Sequence, residues 1–250
     1  MNRIRNTILL MTVILTSLVL SACGTVVYQS NREIINGKGA LVEENRTISG
    51  VSGVELATIG DLHVEVGSSE SLTVKAQENL MEYIETDVVS GRLVIGVQNN
   101  VEVKSLKPID YYLTVKDLDM IRILSSGNIE AQDLETEQFS VSINSSGDVT
   151  MGILNAETLE VNINSSGNLD IAGGEVKTQN IKISSSGKYT AKDLESEEAD
   201  VQINSSGSVT IWVKEILTAA INSSGDVRYL GDAKVDASGS SSGKVIYIGD

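Results

Sequence analysis

The tripeptide Ser-Ser-Gly recurs through the second half of this chain, ending at Gly127, Gly147, Gly167, Gly187, Gly207, Gly225 and Gly243. Successive glycines are 20, 20, 20, 20, 18 and 18 residues apart. A fixed period of this length marks stacked like units, none of which can bury its apolar face alone. Aligned on the glycine, the residue two places later is Ile129, Val149, Leu169, Tyr189, Val209, Val227 or Val245. Four places later stand Ala131, Met151, Ile171, Ala191, Ile211, Tyr229 and Tyr247. Before the glycines lie the pairs Val141/Ile143, Val161/Ile163, Ile181/Ile183, Val201/Ile203 and Ala219/Ile221. Thr150, Asp170, Thr190, Thr210 and Arg228 alternate with these columns and read as outward. Both flanks of each corner are therefore strands with one apolar face.

Hairpins would set like positions against unlike ones. A constant period with like residues in column is better met by coils stacked in parallel, with strands about 4.8 Å apart. The expected fold is all-β, a parallel β-solenoid (β-helix) with 18–20-residue coils and a less regular N-terminal part. The shortening from 20 to 18 falls between Val209 and Ala219, away from the strand pairs beside the corner. In such a stack Asn144, Asn164, Asn204 and Asn222 share one position with Ser184 and Ser240, so their amides can bond from coil to coil as a ladder. The corner glycines Gly147, Gly167, Gly187, Gly207 and Gly225 are expected to supply a left-handed backbone. The corner serines can bond to backbone groups freed by the bend. This is a device of stability, not of catalysis.

Upstream, residues 46–124 alternate apolar and polar with period two, as in Leu62-His-Val-Glu-Val and Tyr111-Tyr-Leu-Thr-Val. Gly60, Gly67 and Gly91 sit at turns that would want positive φ. Residues 78–85 read as a short turn of helix. The region is expected to form early, degenerate coils of the same stack. Residues 23–45 are polar and mixed and read as a tether, with a first strand at 34–35 or 41–42 as the alternative.

The N-terminus has its own logic. Arg3 and Arg5 precede an apolar run over 8–20 and then Leu20-Ser21-Ala22-Cys23. A basic start, a short apolar core and small residues before a cleavage point describe a secretion signal over 1–22. Leu-Ser-Ala-Cys resembles the bacterial lipobox, which makes Cys23 the lipidated first residue of the mature protein; an uncleaved anchor with an incidental Cys is the rival. Cys23 is the sole cysteine, so no intrachain disulfide forms. The chain is then exported and lipid-anchored to the cell membrane or outer membrane, facing periplasm or exterior. Gly24 in place of an acidic residue points to the outer membrane where a cell has one. The net charge of −15 argues against nucleic acid and against direct adsorption to anionic lipid.

The Ser-Gly-Val-Ser-Gly-Val stretch at 49–54, the Ser-Gly-Arg-Leu-Val-Ile element at 90–95 and the recurring Ser-Ser-Gly corners resemble the bacterial "putative auto-transporter adhesin, head GIN domain" family over 46–245. The resemblance implies a β-solenoid in the cell envelope, often with a lipoprotein signal. It carries over no catalytic residues.

Candidate chemistry is sparse. His63 is the sole histidine and lies on the polar face of its strand, the ordinary place for a surface residue. One His and an acylated Cys leave no zinc site of Cys/His type. Asp133, Glu135 and Glu137, and again Asp193, Glu195, Glu197, Glu198 and Asp200, read as a solvated acidic face rather than calcium sites. Asp148 and Asp226 fall four coils apart and cannot act as a hydrolytic pair. Trp212, the only Trp, alternates outward and is a candidate interaction surface, as a sugar-stacking platform or an apolar contact with Tyr28 or another protein, against the plain reading of a partly covered surface ring. No cofactor is implied. The leading reading is a non-catalytic envelope lipoprotein that acts as an adhesin or surface-interaction scaffold, with a glycan or an envelope protein as partner. The alternative is a polysaccharide-binding or polysaccharide-cleaving β-helix, which would need a groove with two close carboxylates. The last coil is expected to leave an open edge where the protein self-associates.

Overall fold

The computed structural model describes residues 32–239 and 242–249. The signal-like segment, Cys23, Tyr28 and Ser240 lie outside them. The described residues contain no α-helix, and no helix long and apolar enough to cross a membrane. The first strands are β1 (Glu33–Asn36), β2 (Leu41–Arg46), β3 (Gly53–Leu56), β4 (Asp61–Val66), β5 (Ser71–Gln77), β6 (Ile84–Val89), β7 (Arg92–Val97), β8 (Val101–Lys104) and β9 (Asp110–Val115). The repeat region supplies β10 (Met120–Ile123), β11 (Asn128–Ala131), β12 (Leu134–Ile143), β13 (Val149–Ile163), β14 (Asn168–Ile183), β15 (Lys188–Ile203), β16 (Ser208–Ile221), β17 (Asp226–Leu230), β18 (Lys234–Gly239) and β19 (Lys244–Gly249).

From β10 onward every pairing is parallel, and in the columns beside the corner like lies on like. Ile129, Val149, Leu169, Tyr189, Val209, Val227 and Val245 face one another on successive coils. All but Val245 are fully buried. The apolar columns thus merge into one thin core of Val, Ile and Leu. Each such burial contributes roughly 1.5–3 kcal/mol. The two-residue shortening is absorbed between Ile211 and Ile216, where the register with β15 slips twice, inside the stretch expected from the sequence.

The corner glycines do their work differently from expectation. None of the repeated Ser-Ser-Gly glycines has positive φ. What they supply is room. A Cβ on Gly147 would lie 2.0 Å from the Gly127 carbonyl oxygen, and one on Gly167 would lie 2.2 Å from that of Gly147. The same contact recurs at Gly225, 2.5 Å from the Gly207 oxygen. The correction is physical: glycine is required because one coil's carbonyl occupies the next coil's Cβ volume. The turn glycines Gly60 (φ 114°) and Gly91 (φ 81°) do adopt the left-handed region, whereas Gly67 does not. Beside the corners, Asn164 Nδ2 donates to Asn144 Oδ1 at 2.8 Å and Asn222 Nδ2 to Asn204 Oδ1 at 2.9 Å. Ser184 interrupts this ladder because its side chain is too short to reach both neighbours.

The N-terminal half departs from a simple run of degenerate coils. β3 and β4 pair in parallel with β10 and β11 on one side and with β7 and β9 on the other. The coil at 53–66 therefore lies between the coil at 92–115 and the coil at 120–131. The chain passes beneath its first coil before returning above it. The outer side of this section is antiparallel: β9 pairs with β5, β5 with β2, and β7 with β6. Antiparallel hairpins cover edges that a stack would otherwise leave exposed. β1 and β2 cover 34–35 and 41–42, the two places where the sequence offered a first strand; residues 23–31 of the expected tether lie outside the described residues. A single 3₁₀ turn at Glu78–Leu80 occupies the place of the expected helical turn.

Two polar features hold special positions in this frame. Glu55, only 7% exposed, lies opposite Arg122 and has Arg92 on its other side. Its Oε2 is 3.4 Å from Arg122 Nη1 and 3.4 Å from Arg92 Nε. The triad spans the three interleaved coils, and two guanidinium groups compensate the carboxylate's lost hydration. Deeper in the core, Gln179 stands in the column of Phe139 and Leu159. Its Oε1 accepts from the Tyr189 hydroxyl at 2.7 Å. Burial pushes the Tyr189 phenol above its ordinary range.

Two outcomes follow. Gly167→Ala should lose about 1–3 kcal/mol in denaturant unfolding, the usual scale for overpacking. Gly96→Ala, where nothing lies within 4 Å of an added Cβ, should be close to neutral. Equal effects at both sites would refute the close-approach account of the corner. Tyr189→Phe should cost about 1–3 kcal/mol by stranding the Gln179 carbonyl. Adding Gln179→Leu should recover part of that loss, and a Tyr189→Phe variant as stable as the parent would show the bond to be idle.

Candidate functional site

The interleaving assembles a site that no single segment holds. Period-two alternation sends His63 and Glu65 of β4 to the outer face. Register then sets Tyr112, His63, Glu130, Thr150 and Asp170 in one row across successive coils. The His63 ring stacks on Tyr112, with centroids 5.1 Å apart and planes 18° apart. Its Nδ1 lies 3.0 Å from Glu130 Oε2. Two residues further along, Ser71 Oγ donates to Thr114 Oγ1 at 3.2 Å, and Thr114 Oγ1 donates to Glu65 Oε1 at 2.9 Å. Both carboxylates are thus held by neighbours on adjoining strands.

His63, Glu65, Tyr112, Thr114, Glu130 and Thr150 line an open groove of about 630 Å³, completed by Gln132, Gly152 and the strand segments between them. The groove exists because β11 stops at Ala131 while β13 runs on unbroken. Asp133 turns back and accepts a hydrogen bond from the Ile153 amide at 2.8 Å. Gly152 permits this, since a Cβ there would lie 2.3 Å from Asp133 Oδ1. No Lys or Arg lines the groove.

The chemistry on offer can be bounded. A hydrogen-bonded His–Glu pair can hold and pass a proton. Glu65 and Glu130 are diagonal neighbours on adjacent parallel strands, roughly 8 Å apart at Cα by strand geometry. Two carboxylates on one groove are the minimum that glycoside hydrolysis requires. A general acid, however, needs a carboxyl raised by an apolar surround. The Glu130 side chain is 66% exposed, and Glu65 is also exposed. The geometry is better suited to holding a ligand than to protonating a leaving group.

The other sequence candidates lie elsewhere. Asn144, Asn164, Asn204, Asn222 and the corner glycines form the corner and do not line the His63 groove. Asp148 Oδ1 accepts from the Asn168 amide at 2.8 Å, and Asp226 Oδ1 from the Lys244 amide at 3.2 Å. Both belong to a side-chain column four coil-steps long between them. Trp212 is half-buried, and its ring packs over Gly231 of the next coil, where an added Cβ would meet Cδ1 at 2.8 Å. On the acidic face Glu135, Asn155, Glu175 and Glu195 stand in one row. Lys214 bridges Glu175 and Glu195 at 3.4 and 2.5 Å, and Lys177 pairs with Glu157. The Glu195 hydrogen bond, ahead of that from Glu175, holds the Lys214 ammonium above its ordinary range. Among the described residues no group of three or more His, Cys, Asp or Glu is arranged to hold a metal.

The comparisons with known proteins agree on the fold. Residues 51–233 match the model of a family described as "Putative auto-transporter adhesin, head GIN domain". A crystal structure of a "putative adhesin" from Bacteroides fragilis NCTC 9343 superposes with a TM-score of 0.79 at 18% identity, covering 86% of this chain and 100% of that one. A "putative lipid binding protein" from Parabacteroides distasonis ATCC 8503 gives a TM-score of 0.71 at 22% identity, with 86% and 100% covered. A "putative adhesin" from Parabacteroides merdae ATCC 43184 gives 0.65 at 21%, with 86% and 99% covered. At such identities the likeness is one of fold. No curated protein matches the chain at a significant level.

Because His63 is the sole histidine, its ring protons report on the site without ambiguity. In the folded protein they should be shifted by the ring current of Tyr112. Tyr112→Leu should move them toward the positions of an unstructured peptide. Unchanged histidine resonances in that variant would contradict the stacked geometry.

Proposed function

We propose a binding role for this chain, which belongs to the family described as "Putative auto-transporter adhesin, head GIN domain". It acts as a non-catalytic surface-interaction protein of the cell envelope. The segment 1–22 exports it, and a lipid on Cys23 tethers it to the cell membrane or outer membrane. The observation that carries the binding role is the groove at His63, Tyr112, Glu65 and Glu130. There, polar side chains from β4, β9 and β11 are held by one another in a groove on the outer face of the sheet, as in sites that receive small ligands. The exposed carboxylates favour binding over hydrolysis. One observation favours a second reading, a polysaccharide-cleaving solenoid: two carboxylates flank a single groove. The half-buried Val235 and Val245 at the last coil support self-association at that end.

The test has two arms. Cells fed a labelled fatty acid should label the parent chain and not a Cys23→Ala variant. Purified protein incubated with a panel of polysaccharides should release no product. Loss of the label in both chains would remove the lipid anchor, and product release that depends on Glu65 or Glu130 would establish the second reading.

A further inference from the structure

We infer that the groove between Glu65 and Glu130 binds a neutral saccharide. The inference deepens the binding role proposed above and rests on it. Charge makes the first exclusion. The groove contains two carboxylates and no Lys or Arg, on a chain of net charge −15. Phosphate, sulfate and uronate groups are repelled from such a surface.

A cationic ligand is poorly served as well. Cation–π binding needs an open ring face. His63 and Tyr112 stack at 18° on adjoining strands, so they turn faces toward each other along the stack and edges outward. With Glu130 66% exposed, an ion pair to a lone ammonium gains little in water.

A sugar fits both constraints. Glu65 uses Oε1 to accept from Thr114, and Glu130 uses Oε2 to accept from His63. The second oxygen of each is left for a ligand hydroxyl. Hydrogen bonds from hydroxyl to carboxylate are short and strong. Gln132 and Thr150 add donors at the rim. A pyranose carries uncharged hydroxyls around its edge that such acceptors and donors can meet together. The acceptors are already held in place, so little ordering is lost on binding. The volume of about 630 Å³ lies within the range of small-ligand sites.

The test titrates the full chain with neutral trisaccharides (glucose-, mannose- and N-acetylglucosamine-based), with trigalacturonate and with phosphatidylglycerol vesicles, reading the His63 ring protons. At least one neutral trisaccharide should shift them saturably, and trigalacturonate and vesicles should not. Glu65→Gln and Glu130→Gln should each weaken that binding about tenfold or more, the scale of one charge-assisted hydrogen bond. Trp212→Ala should leave it unchanged. Because Glu130→Gln itself alters the His63 environment, calorimetry of the Glu65→Gln variant provides the second readout. No shift with any neutral trisaccharide at millimolar concentration would overturn the inference, as would binding indifferent to Glu65→Gln. Tighter binding of trigalacturonate or vesicles would overturn it too. These failures leave the lipid-anchor and product-release results untouched. Conversely, product release would sink the non-catalytic reading and leave sugar binding standing.

Discussion

The distance between one corner carbonyl and the next corner glycine governs this molecule. At 2.0–2.9 Å from a hypothetical Cβ along 147, 167, 187, 207, 225 and 243, there is space for hydrogen alone. That contact fixes the coil spacing at the corner. Fixed spacing keeps like residues in column, and columns of Val, Ile and Leu then make a core that needs few aromatic rings. The Asn ladder is a consequence, since amides stacked at strand spacing find one another only while the register holds. Neighbouring coils share interfaces, so a fault at one corner weakens the coils on both sides.

Function enters where the regular stack meets the interleaved section. A uniform solenoid spreads its outer rows evenly and gathers nothing. Here the coil at 53–66 is inserted between 92–115 and 120–131, which brings Tyr112, His63 and Glu130 into one row. The Arg92–Glu55–Arg122 triad ties the same three coils on another face. The break in β-structure at Gln132 and Asp133 opens the surface beside that row. One topological event therefore supplies the residues of the groove, its rigidity and its opening.

The regular half was legible in the sequence because its information is local and periodic. The columns at Val149, Leu169 and Val209, the shortened coil near Trp212 and the Asn positions all follow from counting. The reason for the corner glycines was misread, since turn chemistry and close approach both call for Gly and only coordinates separate them. The antiparallel cap and the interleaving were not legible. Alternation identifies β4, β7 and β9 as strands but does not say which partner each takes. For the same reason His63 looked like an isolated surface residue: its two partners lie far along the chain, and only strand order makes them neighbours. Trp212 was legible as outward and as a ring that could be partly covered, but not what covers it, because Gly231 lies one coil away.

Strand order at the groove can be measured directly by disulfide trapping in a Cys23→Ala background. Adjacent parallel positions fall within the Cα separation a disulfide spans, and positions two coils apart do not. Cysteines at 63 and 130 should cross-link readily under mild oxidation, and cysteines at 112 and 130 should not. Cross-linking of 112 with 130, and none of 63 with 130, would show coils stacked in chain order and would dissolve the groove.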